Sequence, residues 1–322
     1  MKTNMHVNTN PDRTPTALSR RSILIAALGL PALALVAAAC GDKTKQSGAT
    51  TAAPPTTGST GTDTGATTPP PASTPAGAIE HPTGADDVIF RSGLVGGFTT
   101  PGFAFTNVPS VMVSGDGRLF TLGATTMIYP GQLLPAINER SITEDGIQRL
   151  LALADSAGLL APAPDYAGNI QVADAPDTQV IISANGETYT HQAMALGFEE
   201  VDESPARKAL RTFTEVLRDL PAVVGAQNLG ADAPLVPTNY RIQTMVVTED
   251  ELVGYDPAPT IVDWTLADVS LAGASECTVV TAEQAGATFT DAKQDTFFRE
   301  TVAEAATIYR ISAVAMLPGD VC

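Results

Sequence analysis

The sequence predicts an α+β fold: antiparallel sheets built from hairpins, a few packed helices, and an arrangement open to division into two subdomains. Three observations carry this. Gly115-Asp116-Gly117 and Asn185-Gly186 each separate two apolar or alternating runs, which is the pattern of a tight hairpin. Two other stretches repeat apolar residues at helical spacing behind N-cap residues. Strands and helices do not alternate as βαβ units, so a doubly wound parallel sheet does not fit.

In chain order, Val88-Ile89-Phe90-Arg91 reads as the first strand, with structure beginning near Asp87. Gly93-Leu94-Val95-Gly96-Gly97 follows; it is no dinucleotide fingerprint, because no helical pattern comes after it. Phe98, Phe103 and Phe105 sit among Thr, Pro and Gly and read as loop or edge packing. Ser110–Val113 and Arg118–Leu122 form the first hairpin, and Thr126–Tyr129 reads as a further strand. Ser141-Ile142-Thr143-Glu144 is a capping-box pattern that opens a helix. Ile147, Leu150, Leu151 and Ala154 form its stripe, and Gly158 stops it.

Thr178–Ser183 and Glu187–His191 form the second hairpin. Ser204-Pro205 places Ser at the N-cap and Pro at the first turn of the next helix. Its stripe is Leu210, Phe213, Leu217 and Leu220, with Pro221 as its end. Glu199, Glu200, Asp202 and Glu203 crowd the start of that helix, where its dipole favours anions; a cation site is the competing reading. Pro221–Pro237 is rich in Ala, Gly, Pro and Asn and reads as the boundary between a subdomain over 85–225 and one over 238–322. In the second, Tyr240–Val247, Ile261–Trp264 and Cys277–Val280 read as strands, with Trp264 as a core anchor. Ala282–Ala287 and Asp295–Ala306 read as helices, and Ile308–Met316 as the last strand.

Upstream, Arg13, Arg20 and Arg21 precede Ile23–Ala39, which holds no charge. A basic segment, an apolar run and small residues describe a signal peptide over 1–39. An uncleaved anchor helix is the alternative, since a span needs about 20 apolar residues. Arg20-Arg21-Ser22-Ile23-Leu24 resembles a twin-arginine export signal. Ala37-Ala38-Ala39-Cys40 resembles a bacterial lipobox, departing from it at Ala37, and implies lipid attachment at Cys40. Residues 40–84 then hold the lipidated cysteine and a Thr/Pro/Gly tether. That composition cannot bury enough apolar surface to offset chain entropy.

The chain has three cysteines. With Cys40 assigned to lipid, Cys277 and Cys322 remain as an even pair in an oxidising compartment, and a disulfide between them follows by elimination. From Ala85 on there are 12 Lys+Arg against 31 Asp+Glu, a net of −19. That field repels phosphate backbones, which argues against nucleic-acid partners and against electrostatic adhesion to anionic lipid.

Chemistry is sparse. The histidines are His6, His81 and His191, and only His191 lies in the part expected to fold, so a zinc site of several histidines is excluded. No metal site and no cofactor is expected. His191 ends a hairpin strand, where an ordinary surface or edge histidine is commoner than a catalytic one, and no nucleophile is positioned for it. A Ser–Lys dyad would need Lys208 or Lys293. Asp86-Asp87 and Asp174…Asp177 lie in loops without calcium-loop spacing.

Val95-Gly96-Gly97-Phe98, Val113-Ser114-Gly115-Asp116-Gly117-Arg118, Ile128-Tyr129-Pro130-Gly131 and Thr143-Glu144-Asp145-Gly146-Ile147 resemble stretches of uncharacterised lipoproteins of high-GC Gram-positive bacteria. So do Glu276-Cys277-Thr278-Val279-Val280 and Leu317-Pro318-Gly319-Asp320-Val321-Cys322. The resemblance implies a late cysteine pair, in support of Cys277–Cys322, and no transferable activity. An arginine of that family's last strand is absent here.

The sequence therefore leads to a lipoprotein on the extracytoplasmic face of the cell membrane, held by its lipid anchor. Its folded part is expected to be a binding or accessory module for an envelope protein or small ligand. The alternative is an envelope hydrolase using carboxylates or His191.

Overall fold

The computed structural model describes residues 77–322, apart from 101, 169–171, 199–202 and 257. Arg20, Arg21, Cys40 and the tether up to residue 76 lie outside the described residues, as do Glu199, Glu200 and Asp202. The described elements run β1 (Val88–Val95), α1 (Phe103–Thr106), β2 (Val111–Ser114), β3 (Arg118–Leu122), β4 (Ile137–Ser141) and α2 (Glu144–Ser156). Then come β5 (Asp177–Ala184), β6 (Glu187–Met194), α3 (Pro205–Val216), α4 (Leu220–Val224), β7 (Ala233–Pro234), β8 (Asn239–Val247) and α5 (Glu249–Leu252). The chain closes with β9 (Thr260–Asp263), β10 (Thr278–Thr281), α6 (Ala282–Thr290), β11 (Thr296–Val302) and β12 (Ala305–Ala315).

These strands form two sheets, so the fold is α+β as expected. The first has the order β6-β5-β1-β2-β3-β4-β7 and is antiparallel throughout. The second has the order β10-β8-β12-β11-β9, antiparallel except where β9 runs parallel to β11.

Alternation along the strands sets the layers. On one face of the first sheet Phe90, Val113, Leu119, Val180 and Ile182 pack under Ile147, Leu150, Leu210, Phe213 and Leu217 of the helical layer. Phe90 and Phe213 meet edge to face, their ring centroids 5.9 Å apart. On the opposite face Met112, Phe120 and Ile137 pack against Ala315, the last residue of β12, and Leu317 just beyond it. Both faces of β2 are covered, which explains its unbroken apolar run. A further core gathers Ile242, Val280, Phe289, Phe298 and Ile311, with Trp264 packed against it as the expected anchor. The Trp264 indole donates to the Val269 carbonyl at 2.6 Å.

Both hairpins form. At the second, Asn185 (φ 54°) and Gly186 (φ 76°) adopt the left-handed conformations that a two-residue turn requires. The stripe Leu210, Phe213, Leu217 and Leu220 is buried, and the Ser204 hydroxyl caps α3 by accepting from Arg207 N at 3.2 Å.

Several expectations are corrected. Residues 295–306 are not a helix: Thr296–Val302 is a strand that turns at Ala303-Glu304 into β12. Neither turn residue is Gly or Asn, so the hairpin left no signal, and the β-branched and aromatic residues of β11 pair on both sides. Thr126–Tyr129 is a loop in which Met127 and Ile128 are exposed, because no neighbouring strand is there to pair with it. Strand β4 was not anticipated; its two arms of polar residues hide the pattern. The cap of α2 is Thr143, which accepts from Gly146 N at 3.3 Å, while Ser141 closes β4. Pro221 sits in the first turn of α4 instead of ending the helical layer. Structure also starts before Asp87. Gln148 clamps Ile79 through both backbone atoms, at 2.8 and 2.9 Å, because Ile79 brings a large apolar side chain onto the core beside α2.

Candidate ligand-binding cleft

A cleft of about 630 Å³ lies between the helical face of the first sheet and α3. Its floor is a row of the ladder. Ser92 on β1 pairs with Val111 on β2, and Val111 with Thr121 on β3. These positions share a face with the core residues Phe90, Val113 and Leu119, but Ser92 and Thr121 carry hydroxyls. Val111 and Val180 of this row still belong to the core, and the cleft opens where the hydroxyls of Ser92 and Thr121 interrupt its apolar surface. The roof is the face of α3 and the turn after it that carries Arg211, Thr214, Glu215 and Arg218, at helical spacing.

The ends of the cleft differ. Arg207, at the start of α3, donates to the carbonyls of Met194 and Ala195 at 2.9 and 3.3 Å, which fixes that end of the helix over β6. Phe213 lies over β1 through its contact with Phe90. Continuing in that direction, Arg218 falls on the side of β4, which supplies Arg140 to the lining. On the β6 side the lining is Ala195, Leu196, Gly197 and Phe198, with Leu94 beside them. Leu94 and Phe198 are about half exposed, at 49% and 51%. From β5 to β4 the cleft spans four strand spacings, roughly 19 Å.

Charge is divided unevenly among the arginines. Arg211 Nε and Nη2 donate to the two Glu203 oxygens at 2.9 Å each, and Nη1 to Glu215 at 3.0 Å. Those hydrogen bonds hold the Glu203 carboxyl below the usual carboxylate range. Arg218 makes no ion pair among the described residues. Arg140 Nε lies 3.3 Å from Asp232 Oδ1, yet it is screened from solvent and has no hydrogen-bond acceptor among the described residues. Asp232 is itself engaged by Asn138 Nδ2 at 2.6 Å.

His191 stands outside this cleft. It is on the edge strand β6, as expected, but fully buried rather than at the surface. Nε2 lies 2.9 Å from the Leu159 carbonyl and must donate to it, so Nδ1 accepts from the Tyr166 hydroxyl at 2.7 Å. Burial holds the imidazole below its usual pKa, against the Leu159 hydrogen bond, which favours the charged form. Burial likewise pushes the Tyr166 phenol up. Both ring nitrogens are thus engaged by groups that are not nucleophiles for acyl transfer.

The other sequence candidates are dispersed. Asp87 Oδ2 caps its own turn by accepting from Gly84 N at 2.9 Å. Asp177 Oδ2 accepts from Gln192 Nε2 at 2.6 Å. His81, which the sequence left in the tether, is packed in the described part with Nε2 3.1 Å from Glu144 Oε2. Cys277 and Cys322 are joined, with their Cα atoms 5.4 Å apart. Among the described residues no group of three or more His, Cys, Asp or Glu is placed to hold a metal, and no helix is long and apolar enough to cross a membrane.

Sequence reasoning missed Arg140, Arg218 and the floor of the cleft. The available signal was a hydroxyl residue at the end of each apolar strand face, Ser92 after Phe90 and Thr121 after Leu119. It acquires meaning only once the register lines them up.

Fold and site together define a largely antiparallel α+β protein with an arginine-bearing cleft under a helix. No family model, curated protein or solved structure matches the chain.

Proposed function

We propose that this protein is a lipoprotein of the extracytoplasmic membrane face, anchored through Cys40 and exported under Arg20-Arg21, whose folded part is a binding module with its ligand site in the cleft under α3. The resemblance to lipoproteins of high-GC Gram-positive bacteria belongs to the same proposal. The observation that carries the binding reading is the lining of the cleft. Among the described residues it combines hydroxyls, apolar side chains and arginines with a single carboxylate, Glu215, that is held by Arg211. Among the described residues no pair of carboxylates of the kind that glycoside hydrolysis uses is gathered there, and His191 is buried elsewhere. Arginines and hydroxyls around an apolar body are the furniture of recognition.

Two measurements test this. Replacing Cys40 by Ala should release the protein from the membrane fraction, and retention would point to an uncleaved anchor helix. Native mass spectrometry of the protein purified from its own membrane should show a bound small molecule that a cleft-filling Thr121→Trp change removes, with the melting transition preserved. Ligand-free masses for both proteins would overturn the binding site.

A further inference from the structure

Resting on the reading of the cleft as a ligand site, we infer that its occupant is an amphiphilic anion: one carboxylate or phosphate head on a single apolar chain. Arg140 and Arg218 hold the head at the β4 side, and the chain runs along the floor toward Leu94, Leu196 and Phe198.

Arg140 gives the first reason. Its Nε is shielded from water and lacks an acceptor among the described residues, a situation that costs free energy unless something supplies one. Asp232 is near enough for attraction but out of hydrogen-bonding geometry, and it is already held by Asn138. The Arg140 side chain lines the cleft and is 21% exposed, so a ligand oxyanion there adds a negative partner beside Asp232, a group that a guanidinium binds well. Arg218, across the cleft on the roof, is without an ion pair among the described residues. On a chain of net charge −17, two arginines facing one cleft without full compensation mark the place where a negative group is wanted.

The second reason is the opposite end. Leu94 and Phe198 stand about half exposed at the β6 side, next to Leu196 and Pro176. Apolar side chains around a cleft mouth stabilise an apolar group that covers them, at about 25 cal/mol per Å² removed from water. The length of roughly 19 Å between the two ends suits an extended chain better than a compact solute. A phosphate ion would use one end alone, and a neutral hydrocarbon the other. Only a molecule that joins the two uses both.

The test uses the full chain carrying Cys40→Ala, purified without detergent, and a dansyl-labelled fatty acid as probe. The probe should bind with enhanced, blue-shifted emission. Palmitate or lysophosphatidate should displace it, and whichever is stronger names the head group as carboxylate or phosphate. The matching fatty alcohol should compete at least about tenfold more weakly, and inorganic phosphate should leave the probe bound. Arg140→Ala and Arg218→Ala should each weaken the acid about tenfold while leaving the alcohol unchanged. Arg218 is exposed, so its variant reports on binding even if Arg140→Ala perturbs folding. Equal competition by alcohol and acid, with both arginine variants unaffected, would overturn the ligand class and leave the cleft reading standing. Displacement by inorganic phosphate alone would overturn the need for a chain. Failure of every probe, alcohol included, would overturn the cleft reading as well.

Discussion

Asp320 Oδ1 lies 3.9 Å from Arg241 Nη1, in a spot where the Asp320 side chain is only 9% exposed. The same oxygen is 3.9 Å from Arg91 Nη1. Arg91 belongs to β1 of the first sheet and Arg241 to β8 of the second, so a residue two from the C-terminus ties both sheets together. Its other oxygen accepts from Leu317 N at 3.0 Å, which holds the tail in its turn. Asp320→Ala should lower the unfolding free energy by about 1–3 kcal/mol, because two part-buried guanidiniums lose their counter-charge. Asp320→Asn should lose less, since its amide oxygen can still accept from Leu317 N. Urea midpoints of the two variants within error of the parent would contradict this role.

The Cys277–Cys322 bond fastens the same tail from its other side, across a sequence separation of 45. In the loop-entropy model such a closure is worth about 4 kcal/mol. Cys322→Ser should therefore reduce stability by up to that amount. Non-reducing peptide mass spectrometry should find the peptides holding Cys277 and Cys322 linked. Two free thiols would rule the bond out.

His191 makes stability depend on pH in a definite direction. Its folded-state pKa is lowered, so the native protein holds it neutral while the unfolded chain takes up a proton below about pH 6.5. Stability from this group is complete above that value. It falls as the pH drops through the unfolded pKa toward the folded one, by at most about 1.4 kcal/mol per pH unit. The melting temperature should drop between pH 7.5 and 5.5, and His191→Gln should flatten that part of the profile. The same slope in both proteins would assign the dependence to other groups.

The turn between β11 and β12 is held at Ala303 (φ 47°) and Glu304 (φ 70°), a conformation that residues with a Cβ adopt at a cost. Replacing the pair by Asn-Gly should raise stability by about 1 kcal/mol, read as a higher urea midpoint with unchanged slope. An unchanged or lower urea midpoint would contradict a strain at this turn.

By itself the sequence determined every element whose signal is local. Asn185-Gly186 specified a turn through its backbone preferences, Ser204-Pro205 a helix start, and the spacing of Leu210, Phe213, Leu217 and Leu220 the face to be buried. It also brought Cys277 and Cys322 together through counting, since their partners were few. Tertiary structure alone decided what depends on register and packing. Residues 296–302 became a strand because β9 and β12 were there to pair with it, and their pairing outweighs a weak helical pattern. Ser92, Thr121 and Arg140 became the wall of one cleft because hydrogen-bond register set three separate strands side by side under α3. Side-chain direction in a sheet alternates with every residue, so a position's neighbours across strands are fixed by the ladder, a long-range property that no window of sequence contains.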